Sequence, residues 1–156
     1  MPTPAPELAT LKIFDGAWKC DSKFPAGSMG PGSPEMTAKS GIKFKKGLGG
    51  FWIIGDYSMK KSKAMPGMNA TFYMGYDAAS KKFLLTGLDS MGGLMNETSA
   101  GFQGDTITWT GEGYMMGQKM KIREKMIKKS DKEVLHTMEA DMGKGFMPMG
   151  EDACKK

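Results

Sequence analysis

The sequence predicts an all-β fold, a single up-and-down antiparallel barrel of about ten strands with one short N-terminal helix. Apolar and polar residues alternate in short segments along most of the chain, which is the pattern of half-buried strands. Turn-forming residues separate these segments, and aromatic and β-branched residues are concentrated within them. No internal repeat is present, and about ten strands of period two are typical of an up-and-down barrel.

The length of 156 residues, with 40% hydrophobic and 25% charged residues, is typical of one globular domain. Residues 1–7 contain three prolines and are predicted to form a disordered tail, which leaves residues 8–156 for the barrel domain. No apolar run approaches the ~20 residues of a membrane helix, so no membrane span is predicted.

The positive charge does not indicate nucleic-acid binding. The net charge is +5, but 21 of the 22 basic residues are lysines and Arg123 is the only arginine. Phosphate and base recognition favours the planar arginine fork, whereas lysines at alternate positions indicate solvated strand faces. Nucleic acid is therefore excluded from the expected partners.

The first elements can be assigned in order. Residues 6–14 begin with Pro-Glu and place Leu8, Leu11 and Phe14 on one face, which predicts a short helix across one mouth of the barrel. The first strand follows, with Trp18 and Cys20 on the same face.

An irregular loop over residues 24–34 is rich in glycine and proline, and residues 37–45 alternate as the second strand. Residues 47–93 then hold three strands, which are predicted at 51–59, 71–76 and 83–88. A basic loop that contains Pro-Gly separates the first two of these at residues 60–68.

Four further segments complete the barrel. Residues 95–103 form a weaker strand, and residues 106–110 form another that Gly111 and Gly113 are expected to end. The third, residues 118–127, alternates basic residues with Met120, Ile122, Glu124 and Met126, so that Glu124 falls on the inner face. The fourth, residues 133–142, places His136 inward, and residues 145–150 are poor strand sequence, expected as a final edge.

Several of these segments resemble a known family. The runs LGGFWIIGDY, FYMGYDAASKKF and LDSMGG, with Gly16-Ala-Trp18, the GFxGDTIT segment from Gly101 and Met138-Glu139, resemble the bacterial lipocalin-like group called domain-of-unknown-function family 1579. The resemblance covers roughly residues 8–142 and implies a calycin-type barrel. It implies no catalytic residues, because the matching motifs are turn glycines and core aromatic residues.

The first functional hypothesis is a binding module with a small apolar molecule in the barrel cavity. No cofactor can be named from the residues, although haem is a special case in which His136 would be the axial ligand. The predicted ligand-binding residues share the inner face of the barrel: Trp18, Phe44, Phe72, Met74, Phe83, Leu85, Trp109, Met120, Glu124 and His136.

The second hypothesis is a metal-handling protein, because 17 of the 156 residues are methionine. Thioethers are soft ligands that select Cu(I). Four methionines in turn-rich segments are the predicted ligands: Met65, Met68, Met147 and Met149. The competing interpretation is that methionine replaces leucine as adaptable core filler, and exposed methionines as an oxidation sink are a third.

A hydrolase-type enzyme is the weakest hypothesis and would use Cys20 with His136 as base and Glu124 as the third member. No motif supports it, and no catalytic residue is assigned. Cys20 and Cys154 lie near opposite ends of the chain, so they are either a disulfide between the first and last strands or two unpaired thiols. The location stays equally open between an exported protein with a trimmed signal peptide and a cytoplasmic one.

Overall fold

Eleven antiparallel strands form one sheet whose ends meet, which confirms the predicted all-β barrel. The structure is a computed structural model that describes residues 1–156. The strands are β1 (Gly16–Phe24), β2 (Met36–Gly47), β3 (Trp52–Met59), β4 (Met68–Asp77), β5 (Lys82–Asp89), β6 (Leu94–Ser99), β7 (Phe102–Gln103), β8 (Thr106–Met115), β9 (Gln118–Ser130), β10 (Glu133–Asp141) and β11 (Phe146–Lys155). Consecutive strands pair with each other, as in an up-and-down barrel, except that β6 and β7 both pair with β8.

The barrel closes where β6 and β7, two pieces of one broken strand, pair with β8. Gly111 and Gly113 do not end β8, as the sequence suggested, but allow this closure. A Cβ on Gly111 would lie 1.9 Å from the carbonyl oxygen of Asn96, and one on Gly113 would lie 2.4 Å from that of Leu94. Only glycine permits the two backbones to approach this closely.

The two ends of the chain meet at a second closure, where β1 pairs with β11. The expected final edge is wrong, because β11 pairs with β10 on its other side and leaves no free edge. Cys20 and Cys154 stand opposite each other in these strands and form a disulfide. Of the two alternatives left open by the sequence, the structure therefore contains the bridge.

One end of the barrel, the floor, is covered by a 3₁₀ helix, Pro6–Phe14, which confirms the predicted N-terminal helix. Its residues Leu8, Leu11 and Phe14 are buried, with at most 7% of each exposed. The ring of Phe14 stacks on that of Phe102, with 6.0 Å between the ring centroids. The indole nitrogen of Trp18 donates a hydrogen bond to the Phe14 carbonyl oxygen at 2.8 Å and fixes the helix to β1.

The opposite end, the mouth, carries the loops that follow β1, β3, β5, β8 and β10. No helix in the structure has the length and the apolar character that crossing a membrane would require.

Candidate ligand-binding cavity

An apolar cavity of about 250 Å³ lies inside the barrel, between the floor and the mouth. Of its 38 lining residues, 29 are hydrophobic, from Phe14 and Trp18 at the floor to Leu88 and Tyr114 at the mouth. Such a cavity arises because inward positions of a barrel this wide are not filled completely by side chains. Its chemistry suits the burial of an apolar molecule.

Methionine dominates the wall of this cavity. Thirteen of the 17 methionines line it: Met29, Met59, Met65, Met68, Met74, Met91, Met95, Met115, Met116, Met120, Met126, Met138 and Met149. The unbranched thioether chain adopts many shapes at low cost, and methionine-rich walls are typical of surfaces that adapt to different ligands.

One side of the wall is polar and is centred on His136 in β10. Its Nε2 lies 2.5 Å from Oε2 of Glu124 in β9, and its Nδ1 lies 2.8 Å from Oδ2 of Asp152 in β11. The hydroxyl of Ser22 donates to Oδ1 of Asp152 at 2.5 Å and also lies 2.9 Å from that of Ser40. These groups form one buried chain of hydrogen bonds.

The charges in this chain follow from the geometry. Burial opposes the charged imidazolium, but the two flanking carboxylates outweigh it and raise the pKa of His136 to about 10. Burial also opposes ionisation of Glu124 and Asp152, but the adjacent imidazolium outweighs it and lowers the pKa of both. At neutral pH, an imidazolium therefore lies between two carboxylates.

Glu97 in β6 adds a third acidic group beside Glu124. It is only 3% exposed, its carboxyl group lies beside that of Glu124, and no N–H or alcohol hydroxyl group donates to either of its oxygens. Burial and the neighbouring Glu124 charge raise the pKa of Glu97 to about 10. Two adjacent buried carboxyl groups cannot both ionise, so Glu97 is protonated and donates to Glu124.

Eight of the ten predicted ligand-binding residues line the cavity, namely Trp18, Phe44, Phe72, Met74, Leu85, Met120, Glu124 and His136. The structure places Phe83 and Trp109 elsewhere. Both point inward as expected, but they lie near the floor ends of β5 and β8, in the core below the cavity. Trp109 is 0% exposed there. Strand alternation predicts the face of a residue but not its depth along the barrel.

The four predicted copper ligands do not lie together as the sequence suggested. Met65, Met68 and Met149 line the cavity, whereas Met147 is 54% exposed and lies outside it. The expected turn-rich segments are also partly wrong, because Met68 begins β4 and the other pair belongs to β11. The pairing of β10 with β11 shifts at Met149, which has no partner in β10, and this bulge disturbs the alternation.

The chemistry expected of Cys20 and of His136 as a haem ligand requires correction. Cys20 is bound in the disulfide and is not available as a thiolate nucleophile. Both ring nitrogens of His136 are already in hydrogen bonds to carboxylates, and a protonated imidazole has no lone pair for iron.

Five residues in or beside this polar chain were not predicted from the sequence: Glu97, Asp152, Ser22, Ser40 and Tyr57. Two signals were present. Ser22 has the same strand parity as Trp18 and Cys20, and Ser40 has the same parity as Phe44. Asp152 carried no signal, because the glycine- and proline-containing segment before it obscured the strand.

Comparisons with known proteins agree with this architecture. A family model described as "Protein of unknown function (DUF1579)" matches residues 3–148. No curated protein matches the chain. The crystal structure of Rv2717c from M. tuberculosis superimposes with a TM-score of 0.75, covering 99% of each chain at 13% sequence identity. At that identity the likeness supports the barrel fold alone.

Proposed function

The chain belongs to the DUF1579 family, which is described only as proteins of unknown function, and we propose that it binds a small apolar molecule inside its barrel. The observation that carries this proposal is the cavity of about 250 Å³ with 29 hydrophobic residues among the 38 in its wall. A volume of this size, slightly below the 300 to 1,000 Å³ usual for ligand pockets, suits a small molecule.

The mouth supports the same proposal because it offers an apolar entrance. Four residues of the cavity wall are also strongly exposed: Leu88 at 48%, Met91 at 45%, Tyr114 at 43% and Met116 at 60%. Exposed apolar residues that continue into a cavity are typical of a ligand entrance. The floor is closed by the helix, so the ligand enters and leaves at this end.

Titration with a neutral apolar fluorophore, N-phenyl-1-naphthylamine, tests the proposal directly. We expect its fluorescence to rise on binding and the native protein to saturate. Ala70 in β4 lines the cavity and is buried, so Ala70→Phe fills part of the space and should weaken binding at least tenfold.

Ala78 in the exposed turn after β4 provides the matched control. Ala78→Phe makes the same chemical change outside the cavity and should leave the affinity unchanged. A folded native protein that does not bind the fluorophore, or equal affinity in the two variants, would contradict the proposal.

Binding of Cu(I) is the second candidate function, and the concentration of thioethers in the cavity wall favours it. The three candidates that line the cavity, Met65, Met68 and Met149, form the site to test. The native protein should compete for Cu(I) against a calibrated chelator, and replacement of these three by leucine should abolish the competition. Met147→Leu is the control outside the cavity. A native protein that retains no Cu(I) removes this candidate.

A further inference from the structure

We propose that the cavity selects apolar molecules that carry a positive charge, that is lipophilic amines, over apolar carboxylates of the same length. This inference rests on the proposed function, because it names the ligand class of the same cavity. It follows from the sign of the charges in the wall, from the open acceptor positions on one buried carboxylate, and from the aromatic and thioether groups that line the same cavity.

The charged residues of the cavity wall are almost all acidic. Asp89, Glu124, Glu151 and Asp152 line it, and the only basic side chain there is His136. No lysine or arginine lines the cavity, although the chain has 22 of them against 17 acidic residues. The lysines lie outside the cavity together with most of the acidic residues, so the imbalance of charge is confined to the cavity wall.

Lys156, which lies over the ring of Trp18, does not change this distribution. The Nζ of Lys156 lies 4.9 Å from the centre of the Trp18 ring, but Lys156 is not part of the cavity wall. Apolar carboxylates are usually held by a basic side chain in the pocket, and here none is available except an imidazolium that two carboxylates already flank.

The polar side of the wall has one negative charge more than it has positive charges. The His136 imidazolium balances one of the two carboxylates, Glu124 and Asp152, and the protonated Glu97 contributes no charge. An ammonium group placed there would supply the missing positive charge, whereas a carboxylate would add a second excess negative charge in an apolar surrounding.

Glu124 is the residue that has room for this contact. Its side chain is 5% exposed, and apart from the Glu97 carboxyl no donor of the protein forms a hydrogen bond with its Oε1. An ionised carboxylate offers about four acceptor positions, and His136 and Glu97 occupy two of them. The remaining positions suit the N–H groups of an amine.

The neighbouring wall also suits a cation. Tyr57 lines the cavity and lies close to Asp152, and the faces of aromatic rings attract ammonium groups. The body of the ligand would lie against the methionines toward the mouth. Amine and apolar body would thus be recognised by different parts of one cavity.

Competition against bound N-phenyl-1-naphthylamine tests the inference with three compounds of equal chain length: decylamine, decanol and decanoate. All are used below their micelle concentrations at pH 7, where the amine is cationic and the acid is anionic. We expect decylamine to displace the fluorophore at least tenfold more effectively than decanoate, with decanol between them. Calorimetric titration of decylamine checks binding without the fluorophore.

Glu124→Gln removes the charge with little change of shape and should reduce the preference for amine over carboxylate to within about threefold. Glu133→Gln makes the same change on the exposed outer face and should keep the full preference. If Glu124→Gln does not fold, Asp152→Asn provides the second charge-removing variant, with the same expectation.

Failure of the inference and failure of the proposed function give different results. If the fluorophore binds but decanoate displaces it as well as decylamine, the charge selection is wrong and the apolar cavity stands. An unchanged preference in both charge-removing variants has the same meaning. If neither the fluorophore nor any decyl compound binds, the proposed function fails and the inference fails with it.

Discussion

Replacing Glu97 by glutamine should stabilise the protein at neutral pH. Glu97 is 3% exposed and lies beside Glu124, and burial together with the charge of Glu124 raises its pKa to about 10, so it keeps its proton in the folded state at neutral pH. Glutamine has nearly the same shape, and its amide can donate to the same carboxylate. The substitution therefore keeps the contact between residue 97 and Glu124 and removes only the ionisable carboxyl group of Glu97.

The magnitude follows from the two pKa values. The folded state raises the pKa of Glu97 from 4.5 to about 10, so at pH 7 the folded protein keeps a proton that the unfolded chain releases. Each pH unit above 4.5 lowers the free energy of unfolding by about 1.4 kcal/mol through this group. At pH 7 the loss is about 3 kcal/mol. The glutamine variant should be more stable by this amount at pH 7 and equal to the native protein below pH 4.5.

Urea denaturation followed by tryptophan fluorescence, with the disulfide intact, measures the difference between pH 4 and pH 8. Glu112→Gln on the outward face of the neighbouring β8 is the matched control and should show no pH-dependent gain. If Glu97→Gln and the native protein have the same stability at every pH, then Glu97 is ionised in the folded protein and the assigned protonation states are wrong.

Three further predictions concern the polar side of the cavity wall, the disulfide between β1 and β11, and the core near the floor. His136→Gln leaves Glu124 and Asp152 without their cation and should lower the free energy of unfolding by about 3–5 kcal/mol at pH 7. Because the folded state raises the pKa of His136 to about 10, its stabilising contribution should be complete below pH 6.5 and disappear toward pH 10. An equal loss of stability at both ends of this pH range would contradict the prediction. Non-reducing mass spectrometry should find the chain two hydrogen atoms lighter than its dithiol form, because Cys20 and Cys154 are joined, and reduction should destabilise the fold by about 5 kcal/mol. Two thiols in the oxidised protein would contradict the bridge. Trp109→Ala should cost about 3–5 kcal/mol but leave fluorophore affinity within about threefold, and a large loss of affinity in a folded variant would place the indole in the cavity wall.

Much of the fold was readable from the sequence because barrel strands alternate strictly. In β9, basic residues at every second position required the intervening residues to face inward, which placed Glu124 correctly on the inner face. His136 followed in the same way from its apolar neighbours in β10. Where the alternation was weak, as in β11, the sequence predicted an edge and missed Asp152.

The depth of each residue along the barrel could not be read from the sequence, because it depends on the register between strands that are distant in the chain. Trp18 and Trp109 both face the inside of the barrel, yet Trp18 lines the cavity and Trp109 lies in the core below it. The partnership of His136 with Asp152 likewise depends on the register of β10 with β11. Alternation fixes the face, and only the assembled sheet fixes the neighbours.

The disulfide between β1 and β11 also gives the molecule a covalent topology that differs from that of a linear chain. The bridge joins positions 134 residues apart, so the backbone from Cys20 to Cys154 is a covalently closed ring with two short tails. Every loop at the mouth belongs to this ring. A protease that cuts one mouth loop would therefore open the ring and leave two chains joined by the disulfide. No fragment would separate until the bridge was reduced. The entrance of the cavity can thus be cut without the loss of any part of its wall.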